Sequence, residues 1–149
     1  LDKTIVYPND QTMTGAEYAD NVLTVGALNY AYGSGLIANF SNYGKTNVDV
    51  FAPGVKIWST VQKDGYEYLQ GTSMAAPAVA GVAAVIRSMY PNLTAQQVKK
   101  VIMDSGLAST ADVVLGGEAS NTDNFQNISK SGKMVNLYNA LIMADKMAR

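Results

Sequence analysis

The stretch that most constrains this chain is Leu69-Gln70-Gly71-Thr72-Ser73-Met74-Ala75-Ala76-Pro77, followed by an uncharged run from Ala78 to Ile86. A helix that is apolar on every side belongs in a core, and the run falls short of the ~20 residues of a membrane span. The sequence therefore predicts a buried helix entered through a sharp turn at Gly71, with Ser73 at its mouth. The first backbone N–H groups of such a helix lack intrahelical partners. With the positive end of the dipole, they suit an oxyanion forming on a carbonyl attacked by Ser73. Pro77 cannot donate to the Ser73 carbonyl, so the first turn is predicted to be irregular. The plainer reading is that Ser73 is an N-cap, and spacing alone favours it.

Composition removes other functions. The 149 residues make one domain at most and can bury a core. With 11 basic and 12 acidic residues and no basic run, nothing invites nucleic acid or an anionic membrane. Without cysteine, disulfides and thiolate metal sites are excluded. Leu1-Asp2-Lys3-Thr4-Ile5-Val6 shows no signal-peptide pattern. The chain has no histidine, so it cannot itself supply the imidazole base that a serine nucleophile ordinarily needs. A lysine base in a Ser-x-x-Lys arrangement is absent too, because Ala76 stands there.

Read in order, residues 1–19 form a polar surface loop and Val22 to Ala27 a strand buried on both faces. Gly33-Ser34-Gly35-Leu36-Ile37-Ala38 matches a dinucleotide fingerprint by chance, since turn-like residues follow where a helix is required. Val48 to Phe51 read as a second buried strand, and Val55 to Val61 with Gly65 to Gln70 as a hairpin feeding Ser73. Thr94 and Gln97 mark a capping box that opens a second helix. In that helix Val98, Val101, Ile102 and Ser105 share one face, Lys99 and Lys100 point away, and Gly106 is the C-cap. Residues 107–133 read as a long polar loop. Its Asp112, Glu118, Asp123 and Asn124 offer oxygens to calcium, but their spacing matches no calcium loop and a solvated loop is the better reading. Leu137, Ala140, Leu141 and Ala144 give a final helix one apolar face.

Gly71-Thr72-Ser73-Met74-Ala75-Ala76-Pro77-Ala78-Val79-Ala80-Gly81 is more specified than a cap requires, and it resembles the serine motif of the subtilisin-like (subtilase) serine peptidases. Tyr18-Ala19-Asp20-Asn21-Val22-Leu23-Thr24-Val25-Gly26-Ala27 resembles the family's strand before the serine. Phe40-Ser41-Asn42-Tyr43-Gly44 and Val48-Asp49-Val50-Phe51-Ala52-Pro53-Gly54 resemble its next two signatures, and Met134-Val135-Asn136-Leu137 its closing strand. The G-x-S-x-G elbow of α/β-hydrolases fits less well, because a histidine must follow that serine and none does.

The resemblance implies an α/β fold, the C-terminal half of a doubly wound, mainly parallel-sheet domain, with residues 1–149 as one partial peptidase domain. It implies Ser73 as the nucleophile of an endopeptidase acting through an acyl-enzyme, with its backbone N–H and the Thr72 hydroxyl as oxyanion support. The catalytic Asp and His and the oxyanion Asn are then expected upstream of Leu1, and this chain alone is expected to be inactive. The implied partners are a protein or peptide substrate and the upstream half of the domain. Secretion is implied, as is structural calcium in the full-length protein, while this chain needs no cofactor. Ala78 departs from a family histidine within the helix, and Gln70 from a small polar residue before Gly71. Two other readings stand beside this one: a catalytically dead peptide- or partner-binding module of the same fold, and a structural module in which Ser73 only caps a helix. An unpaired apolar edge beside Val22 to Ala27 predicts that the isolated chain associates or is poorly stable.

Overall fold

In the computed structural model, which describes Asp10 and residues 17–149, four strands and three helices form an α/β layer. In chain order the elements are β1 (Val25–Leu28), β2 (Val50–Pro53), β3 (Ile57–Val61), β4 (Gly65–Leu69) and α1 (Thr72–Met89). There follow α2 (Ala95–Ser105), β5 (Leu107–Ala108), β6 (Asp112–Leu115), β7 (Glu118–Asn124), β8 (Lys133–Met134) and α3 (Leu137–Ala148). The main sheet runs β1-β2-β8-β5, parallel from β1 to β8 and antiparallel only at β5.

Both faces of this sheet are buried, and the period of two in β2 sorts its residues between them. Val50 and Ala52 face the helices, where they join Ala27, Ala75, Val79, Val101, Ile102 and Ala140. Phe51 points the other way, into a second core with Leu28, Val113, Leu115 and Phe125. Its ring meets that of Phe125 at 5.5 Å between centroids. Gly26 makes room for it, since a Cβ there would lie 2.2 Å from the Phe51 ring.

The hairpin β3–β4 and the capping box form as expected. The Thr94 hydroxyl accepts from the Gln97 N–H at 3.2 Å while the Gln97 side chain accepts from the Thr94 N–H at 2.8 Å. The first and second strands begin three and two residues later than predicted, where Thr24 and Asp49 tie the two segments together just before pairing starts.

Several expectations are corrected. The segment 107–133 is not a loop: β6 and β7 form a hairpin over Gly116 and Gly117, whose φ values of 64° and 76° suit a tight primed turn. Val113 and Leu115 anchor it in the second core, while β7 is almost wholly exposed and so carries no apolar alternation to read. Gly106 caps α2 with φ −60°, so space and not a left-handed turn requires it; a Cβ there would lie 2.6 Å from the Met134 carbonyl oxygen.

The largest difference concerns α1, which is not wrapped in a core. Ala75, Val79 and Ile86 are buried, while Ala76, Pro77, Ala78, Ala80, Gly81 and Ala84 are exposed, because no described element lies over that side. At 18 residues α1 is long and apolar enough, by length and composition only, to cross a membrane; its buried face packs on β1 and β2. Next to it β1 is an edge of the main sheet, although part of that edge is covered. The Ala27 N–H donates to the Ser41 hydroxyl at 2.8 Å, and the Ala38 N–H to the Ala27 carbonyl at 3.1 Å.

Lys99 is the remaining correction. It does not point to solvent but is buried, because three carboxylates neutralise it: Glu17 at 3.0 Å, Asp10 at 3.5 Å and Asp49 at 3.6 Å.

Candidate active site

The strand β4 ends at Leu69, and Gln70 and Gly71 turn the chain into α1. The turn is fastened from behind, where the Gly71 N–H donates to the Gly54 carbonyl oxygen at 2.8 Å. Gly71 is the N-cap, with φ +150°, a conformation that excludes ordinary side chains. Thr72 is therefore the first helical residue and Ser73 the second. Ser73 is not a cap, and its side chain is exposed.

The first turn is mixed, as the missing Pro77 donor requires, with the Met74 and Ala75 N–H groups converging on the Gly71 carbonyl at 3.0 and 3.3 Å. That leaves the Thr72 and Ser73 N–H groups as the helix-terminal donors without an intrahelical acceptor. They lie at the positive end of an 18-residue helix, beside the Ser73 hydroxyl. Thr72 and Met74 are half-buried, and the Met74 Sδ lies 3.6 Å from where a Gly71 Cβ would stand, so the thioether packs against the turn.

A cavity of about 400 Å³ reaches the turn at Gln70, with further walls that include Tyr30, Ile37, Phe40, Val55 and Lys56. Gln70 precedes Ser73 by three residues, so its Cα lies within ~11 Å of that of Ser73.

The candidate calcium oxygens do not converge. Asp112 opposes Asn124 across the β6–β7 ladder and Asp123 opposes Val113, which puts Asp112 and Asp123 on opposite faces. Their oxygens are engaged with amides: Asp112 Oδ1 accepts from Asn124 Nδ2 at 3.3 Å, and Asp123 Oδ1 from Asn127 Nδ2 at 3.0 Å. Among the described residues, the carboxylates close enough to share an ion are Asp10, Glu17 and Asp49, within 4.8 Å of one another. The ammonium of Lys99 lies among them and that of Lys130 contacts Glu17 and Asp49, so the cluster does not suit calcium. Burial pushes the Glu17 carboxyl up, but hydrogen bonds from Lys130 and Lys99 outweigh it and hold the group below its ordinary 4.5. Asp49 is raised from 3.8 by burial. For Lys99, burial works against the charged form, yet Asp49 and Glu17 keep the ammonium above its ordinary 10.5.

Sequence reasoning missed Gly54 as part of the site. Its signal was the close spacing of Ala52-Pro53-Gly54, which reads as a turn but also needs the room that a Cβ would take, 2.7 Å from Ala27 Cβ and 2.8 Å from the Gly71 carbonyl oxygen.

The model of the subtilase family matches residues 2–132. Subtilisin DY of Bacillus licheniformis is 44% identical over 108 residues, 72% of this chain and 33% of that protein. A thermophilic serine proteinase of Bacillus sp. (strain AK1) is 42% identical over 105 residues, 70% of this chain and 23% of that protein. This chain thus spans a third or less of the length of these relatives. Among solved structures, a protease from Pseudoalteromonas arctica aligns with TM-score 0.66 and 28% identity over 83% of this chain and 36% of its own. Fervidolysin from Fervidobacterium pennivorans, a keratinolytic enzyme, aligns with TM-score 0.59 and 29% identity over 90% of this chain and 21% of its own.

Proposed function

Because the chain belongs to the subtilase family, we propose that it is the serine-bearing part of a serine endopeptidase that hydrolyses peptide bonds through an acyl-enzyme on Ser73. The observation that carries this reading is the position of Ser73 one residue inside α1. With Gly71 as N-cap, the hydroxyl is not spent on the helix and stands beside unpaired N–H donors. In the reaction Ser73 Oγ forms the bond to the substrate carbonyl carbon while a base takes its proton. The carbonyl oxygen gains negative charge beside the Ser73 N–H, with the Thr72 hydroxyl as further support. The leaving amine departs with a proton, and water then releases the acyl group and restores the hydroxyl.

The base, its orienting acid and an oxyanion asparagine come from parts of the protein outside these 149 residues, since the chain has no histidine. The bare side of α1 and the edge of β1 are where that other part of the domain docks, and this chain without it is inactive. Gly81 supports this: a Cβ there would meet nothing within 4 Å, so a residue costing about 1 kcal/mol in a helix serves no contact among the described residues. The enzyme acts on proteins or peptides outside the cell, as the resemblance implies, and no cofactor is assigned to this chain.

The test is intact-mass detection of a fluorophosphonate adduct. We expect it on the full-length protein, and neither on its Ser73→Ala variant nor on this chain alone. A folded, fully processed full-length protein that takes no label would instead support a peptide- or partner-binding module. The absent histidine favours that second reading if the rest of the protein lacks one as well.

A further inference from the structure

The cavity that Gln70 lines carries a single charge among the described residues. Its walls are otherwise apolar or neutral, among them Tyr30, Ile37, Phe40, Val55 and Gln70, and the one ionisable cation or carboxylate among them belongs to Lys56. Among the described residues no carboxylate pairs with this lysine; its ammonium sits over the Tyr30 ring, 4.2 Å from the centroid. The ring fixes where the charge stands without neutralising it, since a cation over an aromatic face keeps its full charge. Lys56 is also held at φ 55°, a left-handed conformation that residues with a Cβ rarely adopt. It stands at the foot of β3, next to Val55 in the cavity wall and opposite Gln70 at the end of the same hairpin.

Building on the peptidase reading, we infer that Lys56 is a specificity-determining residue that selects substrates with an Asp or Glu side chain near the scissile bond. The reach is bounded by geometry. Gln70 lies within ~11 Å of Ser73, Lys56 stands about 5 Å across the hairpin from Gln70, and an extended peptide advances about 3.3 Å per residue, so the selected side chain is within about five positions of the cleaved bond. A carboxylate entering there replaces solvent around Lys56, while a basic side chain meets an unpaired positive charge. A partly exposed pair of this kind is worth about 1 kcal/mol, or roughly fivefold in kcat/KM.

The experiment is cleavage-site profiling of a mixed peptide library by mass spectrometry, using the full-length protein and its Lys56→Glu and Ser73→Ala variants. The expected result is Asp and Glu enriched about three- to tenfold at one position within about five residues of the bond. Lys56→Glu should turn that preference toward Lys and Arg. Lys56→Gly, which suits φ 55°, should flatten it and serves if the glutamate variant fails to fold. Ser73-dependent cleavage with no acidic preference, or with one that both variants retain, overturns the role of Lys56 and leaves the peptidase reading intact. Absence of any Ser73-dependent cleavage overturns the peptidase reading and this inference together.

Discussion

The carbonyl oxygen of Gly54, at the end of β2, accepts the N–H of Gly71 at 2.8 Å. The end of a buried strand thereby sets where α1 begins, and with it the height of Ser73. A Cβ at residue 54 would collide with Ala27 Cβ and with the Gly71 carbonyl oxygen. Gly54→Ala is therefore expected to destabilise the protein by about 1–3 kcal/mol and to slow acylation of Ser73 more than it weakens substrate binding. Urea midpoints and the split between kcat and KM check this. An unchanged midpoint with unchanged kcat would show that the contact positions nothing.

Met74 follows the candidate nucleophile and packs against the Gly71 turn. Conversion of its thioether to the bulkier, polar sulfoxide crowds that turn. Mild peroxide should lower turnover of the full-length protein, and Met74→Leu should resist it. Full activity with Met74 oxidation confirmed by peptide mass would refute the proposed crowding.

Gly81 separates the needs of the isolated chain from those of the assembled domain. Gly81→Ala fills open space and should stabilise the isolated chain by about 0.5–1 kcal/mol through helix propensity. Reconstitution of fluorophosphonate labelling with the remainder of the domain should weaken if α1 is approached closely there. Equal labelling yields would mean that the bare face of α1 accepts a methyl and that the helix is not closely covered. Sedimentation of the isolated wild-type chain at micromolar concentration should show association, and a stable monomer would argue against an exposed sticky face.

The buried charge cluster gives the stability profile its limits. Glu17 titrates below its ordinary 4.5, so its contribution is present above that value and fades as pH falls through the folded one. Lys99 titrates above 10.5, so its contribution is present below 10.5 and fades as pH rises further. Asp49, raised from 3.8 by burial, opposes Glu17 on the acid side and blunts that limb. The alkaline limb above 10.5 is accordingly the clearer one, and it should vanish in Lys99→Met. The same substitution should cost about 3–5 kcal/mol near neutrality by leaving buried carboxylates short of a partner. Tm against pH for both proteins decides; an alkaline limb that survives in Lys99→Met would assign it elsewhere.

These particulars also show what the sequence discloses. Strands rich in Val and Ala, the Thr94–Gln97 box and the turn into Ser73 are local patterns, and they appear as read. Lys99 could not be placed, because its neutralising partners lie up to 89 positions away in the chain, at Asp10. Neither could β7, whose seven residues are almost wholly exposed and so lack alternation, although Gly116-Gly117 before it was a hairpin signal. Helix α1 was legible as apolar, yet the identity of what covers each side is not a property of the helix itself. In the site, Ser73 and Gly71 could be read locally; Gly54 and Lys56 required the tertiary arrangement of the hairpin.

Strand β8 lies between β2 and β5, so the middle of the main sheet closes only after a segment distant in sequence has been made. Phe51 pairs with Met134, 83 residues later. At a synthesis rate of about 5–20 residues per second, β2 waits roughly 4–17 s for its neighbour. During that interval an apolar strand edge stands open on the ribosome. The tempo of translation, and whatever shelters that edge meanwhile, therefore bears on the yield of folded protein as directly as the contacts that hold the finished sheet.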